Sequence, residues 1–306
     1  MSAGHGGHPP LLRPGVVVPF ALVALIWGST WFAIKDGIGA VPVSWSVTWR
    51  FSLAAAGMFA LALARGEGLR LTATGQRVAL MLGISQFCCN FNLVYRAEQY
   101  LTSGIVAVLF AMLMVPNALF AWLAFRQKST RGFLAGTAIA LAGIVLLLIH
   151  EARLAPLGGQ VGLGIALTIS AIGVASFANV LQASPTARAQ PMVTMLAWAM
   201  LWGACADFAL AWITSGPPVL PLDPRYLGGV AYLALIGSVV TFPLYFQLIR
   251  ELGPGRAAYN GVVVPIIAMG FSTVLEGYRW SLLAGAGAVL ALAGLVVAMR
   301  ARNPSR

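Results

Sequence analysis

The sequence predicts an all-α integral membrane protein, with ten transmembrane helices in two inverted five-helix repeats and both termini in the cytoplasm. Three observations lead to this prediction: the composition, the lengths of the apolar runs and the distribution of positive charge. Only 9% of the 306 residues are charged, against about 25% in ordinary globular proteins. Because 59% of the residues are apolar and the mean hydropathy is +0.86, a water-soluble fold could not bury its apolar surface.

The net charge says less about partners than its size suggests. The chain carries +11 and has a sequence pI near 10.4, values that resemble those of nucleic-acid-binding proteins. A basic face needs many charges, however, and the 19 Lys and Arg are spread along the whole chain. We therefore expect a lipid bilayer and no nucleic acid as a partner. The composition also argues against a soluble enzyme and against a disordered chain.

Ten apolar runs are long enough to cross a bilayer as helices. A spanning helix needs about 20 residues, and clusters of Gly, Pro, Ser and charged residues separate the runs. The runs are too long for strands and lack their alternation. The predicted spans are 16–35, 43–64, 78–97, 103–125, 131–149, 161–183, 191–214, 227–249, 256–275 and 281–300. The spans divide the chain into a first repeat at 16–150 and a second repeat at 161–302, joined by a linker at 151–160. A disordered tail at 1–15 precedes the first repeat, and a C-terminal tail at 303–306 follows the second.

The distribution of Lys and Arg predicts which helix ends face the cytoplasm. The connection after the second span holds Arg65, Arg70 and Arg77, and the connection after the fourth begins with Arg126 and Lys128. Each segment on the opposite side holds a single Lys or Arg. Since positively charged loops stay inside, both termini are predicted to be cytoplasmic, in a multi-pass protein of a bacterial-type inner membrane.

The second half of the chain repeats features of the first. Pro116 and Pro265 lie 149 residues apart, and the segment GTAIALAG from Gly136 recurs as GAVLALAG from Gly287, 151 residues later. Each half contains five predicted spans, an odd number, so the second half would enter the membrane in the opposite orientation. Inverted repeats are typical of secondary transporters, whose substrate site lies near the midplane between the repeats.

Several motifs resemble those of the EamA family, in the drug/metabolite transporter superfamily. They are ALIWGSTWFAIK at Ala24–Lys35, WRF at Trp49–Phe51, LTSG at Leu101–Gly104, the mid-helix prolines of spans 4 and 9 and the closing LAG motifs. The resemblance covers 16–300 and implies a ten-span transporter. Known ten-span members include exporters of amino acids, among them aromatic amino-acid exporters of the YddG type. Many relatives carry a Glu after span 4 in both halves, whereas here only Glu276, after span 9, keeps it.

Polar and aromatic side chains within the spans are expected to line a substrate cavity, because polar groups are costly in lipid. The predicted substrate-binding residues are Trp27, Thr30, Gln86, Phe87, Asn90, Tyr95, Met114, Asn117, Ser176, Asn179, Tyr245, Tyr259 and Asn260. The alternative for any one of them is a hydrogen bond between packed helices. Pro116 and Pro265 each remove a backbone donor, and they are predicted either as paired hinges or as static kinks.

Two charged residues, Arg50 and Asp207, lie within predicted spans. Arg50 is expected to extend toward the membrane surface or to hold carbonyl groups at a helix end. A direct pair with Asp207 is disfavoured, because the repeat would place their helices apart, and Asp207 is either a proton site or a structural acid. The predicted cavity holds no evident Lys or Arg, which argues against phosphate-bearing cargo and favours a zwitterionic amino acid.

The remaining side chains predict no catalytic, metal or cofactor site. His5 and His8 lack a third ligand nearby, and Cys88 and Cys89 are adjacent rather than at metal-binding spacing. The leading hypothesis is a transporter, not an enzyme, that exports small amphipathic metabolites by alternating access, with a broad range of aromatic and other neutral amino acids. The alternative is a multidrug or toxic-cation exporter of the same fold. Because two halves complete a transporter within one chain, a monomer is expected.

Overall fold

The computed structural model describes residues 14–125, 130–154, 160–252 and 260–300, which are almost entirely helical. The helices of the first half are α1 (Pro14–Gly37), α2 (Val43–Ala64), α3 (Ala73–Ala97), α4 (Ser103–Phe110, the 3-10 turn Ala111–Leu113 and Met114–Phe125) and α5 (Arg131–Leu154). Those of the second half are α6 (Val161–Gln182), α7 (Met192–Ser215), α8 (Pro224–Ala231, Tyr232–Val240 and Thr241–Leu252), α9 (Asn260–Leu275) and α10 (Leu282–Arg300). A one-turn helix, Pro185–Arg188, precedes α7 and is not predicted by the apolar pattern.

Within the described residues, six helices have the length and hydropathy of membrane spans. They contain the apolar segments Val17–Gly37, Val43–Ala64, Ala73–Ala97, Val161–Gln182, Met192–Ser215 and Pro224–Tyr245. Apolar segments in α4, α5, α9 and α10 are shorter within the described residues. The prediction of an all-helical membrane protein is therefore confirmed, while the ten crossings, the two inverted repeats and the cytoplasmic position of the termini stay predictions.

Helix boundaries follow from local hydrogen bonding and backbone geometry. The hydroxyl group of Thr72 accepts a bond from the backbone N–H of Gly75 and caps α3. The carboxylate of Asp223 accepts bonds from the backbone N–H groups of Arg225 and Tyr226, and in this way it caps α8. The helix α7 is terminated by Gly216, whose backbone φ of +78° is rarely adopted by residues that have a Cβ atom.

α3 and α8 each contain a stretch of π-helix, in which backbone bonds span five residues instead of four. These stretches are Gly83–Asn90 and Tyr232–Val240, and their first residues lie 149 residues apart, the same interval as between the mid-helix prolines. In α8 the hydroxyl groups of Ser238 and Thr241 donate to carbonyl groups five residues earlier. Because π-helical turns are rare and occur mostly at functional sites, these stretches direct attention to the helices that surround α3 and α8.

The helices of the two halves pack on each other in reciprocal pairs. α1 packs against α8 and α9, and α6 packs against α3 and α4; α2 packs against α8, and α7 packs against α3. α2 and α7 also pack directly on each other, which corrects the expectation that the helices of Arg50 and Asp207 lie apart. Small buried residues, including Ala54, Ala197 and Ala204, allow this close approach.

α5 and α10 meet through glycines and almost without intervening side chains. A Cβ added to Gly143 would overlap the backbone nitrogen of Ala291 and lie 2.6 Å from the carbonyl oxygen of Gly287. Gly136 and Gly294 are enclosed by backbone atoms in the same way. Of the two roles open to these small residues, packing within the chain or packing in a dimer, the structure uses packing within the chain.

Two glutamates outside the helices hold the beginnings of helices from the other half. Glu276 accepts bonds from the backbone N–H of Ser103, at 3.1 Å, and from the Ser103 hydroxyl group, at the start of α4. Glu67 accepts bonds from the backbone N–H and the hydroxyl group of Thr194, at 3.1 and 3.2 Å, at the start of α7. The carboxylate that follows span 9 therefore caps a helix of the first half. The corresponding segment after span 4, 126–128, lies outside the described residues.

Candidate functional site

Aromatic side chains form a continuous row across α8, α1, α3 and α2. The row and the polar groups attached to it, here called the central cluster, consist of Trp27, Arg50, Phe51, Phe87, Phe91, Tyr95, Ser238, Phe242 and Tyr245. Neighbouring rings in the row, from Tyr245 to Phe91, have centroids 4.8 to 5.9 Å apart, in tilted or edge-to-face arrangements. The row joins three helices of the first half to α8 of the second half. A movement of one half relative to the other would therefore change the contacts between these rings.

Arg50 lies inside this cluster, with only 3% of its surface exposed. Its guanidinium carbon lies 4.4 Å from the ring centroid of Phe91 and 5.1 Å from that of Phe51. Nη1 donates to the hydroxyl group of Tyr95 and Nη2 to that of Ser238, both at 3.4 Å. The expectation that Arg50 extends to the membrane surface or holds carbonyl groups is therefore wrong, because two aromatic faces and two hydroxyl groups hold the cation inside the bundle.

Trp27 and Thr30 bring α1 against the π segment of α8. The indole N–H of Trp27 donates to the carbonyl oxygen of Gly237 at 3.3 Å, and the Thr30 hydroxyl group donates to the carbonyl oxygen of Trp27 at 2.8 Å. A Cβ on Gly237 would lie 2.8 Å from Cγ2 of Thr30, so only glycine allows the helices to come this close. The hydroxyl groups of Ser29 and Tyr232 share a further bond of 2.6 Å. Trp27 and Thr30 thus both lie against the π-helical segment of α8, Tyr232–Val240.

Asp207 is fully buried and belongs to a second polar group, between α2, α3 and α7. The Asn92 side-chain amide donates to Oδ1 of Asp207 at 2.7 Å, and the Ser44 hydroxyl group donates to Oδ1 of Asn92 at 2.7 Å. Arg96 donates to Ser44 at 3.2 Å and extends this chain of bonds toward the helix end. Among the described residues, Asp207 forms no ion pair with Arg50, and its other oxygen, Oδ2, is buried without a hydrogen-bond partner.

Four further predicted residues form two pairs. The side-chain amide of Asn179 donates to Oδ1 of Asn117 at 3.4 Å, which joins α6 to α4. Within α3, the Asn90 amide donates to the backbone carbonyl of Gln86, also at 3.4 Å. The side-chain oxygens of Gln86 and Asn90 are buried and accept no hydrogen bond from the described residues. Hydrogen bonding therefore does not unite the predicted residues into a single network.

The remaining predicted residues form no hydrogen bond to another predicted residue within the described part of the chain. The Ser176 hydroxyl group and the Asn260 amide are buried and have no hydrogen-bond partner in the described part of the chain. Tyr259 lies outside the described residues, as does the side chain of Met114.

The two mid-helix prolines differ in their surroundings. Pro116 follows the 3-10 turn Ala111–Leu113, where the helical hydrogen-bond pattern of α4 changes, whereas α9 continues through Pro265. A role as paired hinges stays a prediction.

Two cavities lie toward opposite ends of α8. The cavity at the predicted outer end has a volume of about 70 Å³, and its lining includes Ile34, Asp36, Ser46, Tyr95, Tyr226 and Leu233. The cavity at the predicted inner end has a volume of about 430 Å³, and its lining includes Leu61, Arg65, Met192, Val239, Leu244 and Gln247. Small-molecule sites usually measure about 300–1,000 Å³, so of these two cavities the inner one has room for a metabolite in this conformation.

An ion pair spans the outer cavity. Arg225, at the start of α8, approaches Asp36, at the end of α1, to 2.5 Å, and the Arg225 side chain is 77% exposed. Exposed ion pairs contribute roughly 0–1 kcal/mol to stability. The contact between the outer ends of α1 and α8 can therefore break at little cost.

Glu98 is a buried acid at the same end of the bundle. Neither of its carboxylate oxygens has a hydrogen-bond partner among the described residues. The amino group of Lys35 donates instead to the backbone carbonyl groups of Glu98 and Leu101. Burial raises the pKa of Glu98 well above its ordinary value, and the nearby Glu276 raises it further, while the positive charges of Lys35 and Arg50 oppose the shift.

The apolar helices and the buried polar groups, taken with the similarities described next, define a multi-pass membrane transporter rather than an enzyme. Residues 16–149 and 162–300 each match the EamA-like transporter family, so the chain belongs to this family, as its motifs suggested. The protein is placed in the inner membrane by this membership and by relatives named as inner membrane transporters.

Several known proteins are similar to the chain over most of their length. The uncharacterized inner membrane transporter YedA of Escherichia coli K12 is 32% identical, over 84% of this chain and 81% of its own. A probable amino-acid metabolite efflux pump of Salmonella typhimurium is 25% identical, over 93% and 96%. An S-adenosylmethionine/S-adenosylhomocysteine transporter of Chlamydia trachomatis is 22% identical, over 84% and 80%. One crystal structure covers 95% of this chain and 99% of its own with a TM-score of 0.67 and 21% identity, which supports the fold.

Proposed function

We propose that this transporter exports small amphipathic metabolites from the cytoplasm, chiefly aromatic and other neutral amino acids, by alternating access between the two ends of the central cluster. The observation that carries the proposal is the central cluster itself. It combines a row of aromatic rings with hydroxyl groups and a cation, at the contact between the two segments that match the family. Aromatic and apolar side chains with a few fixed polar groups are typical of small-molecule sites.

The unequal cavities support alternating access. The inner cavity, of about 430 Å³, has room for a metabolite, while the outer one, of about 70 Å³, is bridged by Asp36 and Arg225. This asymmetry is what an inward-facing state would have. Closure at the inner end would bring α8 onto the residues of α2 and α7 that line the inner cavity, and opening at the outer end would break the exposed ion pair. Both repeats lie in one chain, so a monomer is sufficient for this cycle.

The similar proteins support transport of amino-acid-like cargo without specifying it. One relative is named as a probable amino-acid metabolite efflux pump and another as a transporter of S-adenosylmethionine and S-adenosylhomocysteine. Both names describe metabolites rather than drugs.

A transport assay in liposomes tests the proposal directly. Purified protein should release preloaded labelled phenylalanine, tryptophan, leucine or methionine faster than protein-free liposomes do, and unlabelled substrate should compete. The assay should be run with and without a proton gradient, which also separates facilitated diffusion from proton coupling. Failure to move any compound from a broad amino-acid panel would reject the proposed cargo.

A multidrug or toxic-cation exporter is the second candidate, and the buried acid Asp207 is the observation that favours it. An intramembrane carboxylate can bind a cationic drug or a driving proton. Asp207, however, is already bound to Asn92, and asparagine at position 207 could accept the same hydrogen bond.

We therefore expect Asp207→Asn to keep amino-acid export within about twofold of the wild-type rate, because asparagine has nearly the same volume and its side-chain oxygen can keep the bond from Asn92. The measurement compares export of amino acids and of tetraphenylphosphonium by both proteins. Wild-type transport of tetraphenylphosphonium that disappears in Asp207→Asn would favour the cation exporter instead. Asn92→Leu is the matched variant for structure: it should lower the apparent Tm, since it removes the amide that donates to Oδ1 of the buried Asp207.

A further inference from the structure

Arg50 is buried and forms no ion pair with an acid in the described part of the chain, and the nearby buried acid Glu98 makes no hydrogen bond to it. A guanidinium carries five N–H donors, but here two of its nitrogens form bonds of 3.4 Å with neutral hydroxyl groups and Nε has no acceptor among the described residues. The ion pair between Arg225 and Asp36 is the only one found in the described ranges. A buried cation without a counter-charge is costly. A ligand that brings a negative charge to Arg50 would therefore be favoured.

The surroundings of Arg50 select the kind of anion. A guanidinium can bind a carboxylate or a phosphate through two parallel hydrogen bonds. The central cluster supplies only this one cation, and aromatic rings occupy the neighbouring positions. A phosphate carries more negative charge than one guanidinium can neutralise, and the excess would lie against the aromatic rings. A single carboxylate would be neutralised by Arg50, and an apolar or aromatic side chain on the same ligand could pack against the rings.

One hydroxyl partner of Arg50, Tyr95, lines the outer cavity. The other, Ser238, is buried in α8, and the next two residues of that helix, Val239 and Val240, line the inner cavity. The guanidinium therefore contacts one residue of the outer cavity and the helix that lines the inner one. A change in the packing of α8 against α1 and α2 could open it to either side in turn.

We infer that Arg50 binds the carboxylate of the transported substrate, while Tyr95 and Ser238 position the guanidinium. The inference rests on the proposed transport function and narrows its cargo to small monocarboxylates with an apolar side chain, neutral amino acids included. It also revises the interpretation that the cavity lacks a cation, and it predicts discrimination against lipophilic amines.

Pairs of ligands that differ only in the carboxylate provide the test. Phenylalanine and leucine should compete for export, and should raise the apparent Tm of the wild-type protein in detergent, at concentrations at least about tenfold lower than phenethylamine and isoamylamine. These amines keep the amino group and the side chain. Equal potency of an amino acid and its amine would overturn the role of Arg50.

Variants of Arg50 locate the effect. Arg50→Gln should reduce the preference for the carboxylate to about twofold or less, and Arg50→Lys should restore part of it, because the charge returns without the planar fork. Arg70→Gln removes an exposed arginine in the loop after α2 and should keep the full preference. Discrimination that survives in Arg50→Gln would reject the inference.

The outcomes separate this inference from the proposed function. Export of amino acids and amines at equal potency would leave the exporter in place and remove only the role of Arg50. Export of no compound in the panel would reject the proposed cargo as well. If Arg50→Gln does not fold, as judged by size-exclusion chromatography, the comparison of ligands on the wild-type protein still decides the question.

Discussion

Gly143→Ala should destabilise the protein by about 3 kcal/mol or more, the upper range for overpacking in a rigid interior. The added methyl group would overlap the backbone nitrogen of Ala291 and lie 2.6 Å from the carbonyl oxygen of Gly287. Backbone atoms cannot rotate away as a flexible side chain can, so α5 and α10 would have to separate. The expected result is a lower apparent Tm in detergent and a smaller monodisperse fraction in size-exclusion chromatography.

Gly285→Ala is the matched control, since it makes the same chemical change in α10. No atom other than those of its own helix and chain neighbours lies within 4 Å of a Cβ at this position. Alanine is also the better helix former, by about 1 kcal/mol. The control should therefore have wild-type or slightly higher stability. Equal stability of the two variants would show that α5 and α10 do not approach as closely as the structure places them.

Glu98→Gln should make the protein more stable than the wild type at alkaline pH and little different near pH 4. Burial raises the pKa of Glu98 in the folded state above that of the unfolded chain. Below the unfolded pKa both states hold the proton, so this group imposes no penalty. As the pH rises, the unfolded state ionises first, and folded stability falls by up to about 1.4 kcal/mol per pH unit until the folded pKa is reached.

The measurement is the apparent Tm of both proteins from pH 4 to 9. The difference between Glu98→Gln and the wild type should grow steadily with pH, since glutamine fills the same space and carries no proton to lose. Asp223→Asn serves as the control, because this exposed acid caps α8 and the side-chain oxygen of asparagine can still accept one of its two bonds. Its difference from the wild type should stay small beside that of Glu98→Gln, since Asp223 is exposed. A Glu98→Gln curve parallel to the wild-type curve would mean that the carboxyl group reaches solvent.

Membership of the family and the helical membrane fold could be predicted from sequence, because each follows from local features. Apolar runs of about 20 residues are long enough to cross a bilayer whatever their neighbours are. The motif at Ala24–Lys35 and the repeated prolines carry the family resemblance without any knowledge of packing. Several predicted site residues, including Trp27, Phe87 and Tyr95, belong to the central cluster because aromatic and polar groups at membrane depth seek partners inside the bundle.

The partners of those residues could not be predicted in the same way. Asn92 was not among the predicted binding residues, and nothing in its position along α3 marks it as the donor to Asp207, which lies 115 residues later. Ser238 is likewise an ordinary residue of an apolar run until the π turn of α8 brings it to Arg50. The repeat spacing signals the equivalence of α3 and α8, but it does not reveal that both depart from the α-helical pattern.

Arg50 is the clearest case of a residue whose cost could be predicted from the sequence but whose partners depended on the tertiary structure. The sequence by itself determined that a cation lies about two turns into α2, and that its position in lipid would be costly. It could not decide between a side chain that reaches the membrane surface and one that turns inward. That choice depends on how α2, α3 and α8 are rotated about their axes, and it was settled by the faces of Phe51 and Phe91 and by two hydroxyl groups from different helices. Composition and spacing set the cost of a buried charge, whereas only packing among distant segments supplies the groups that offset it.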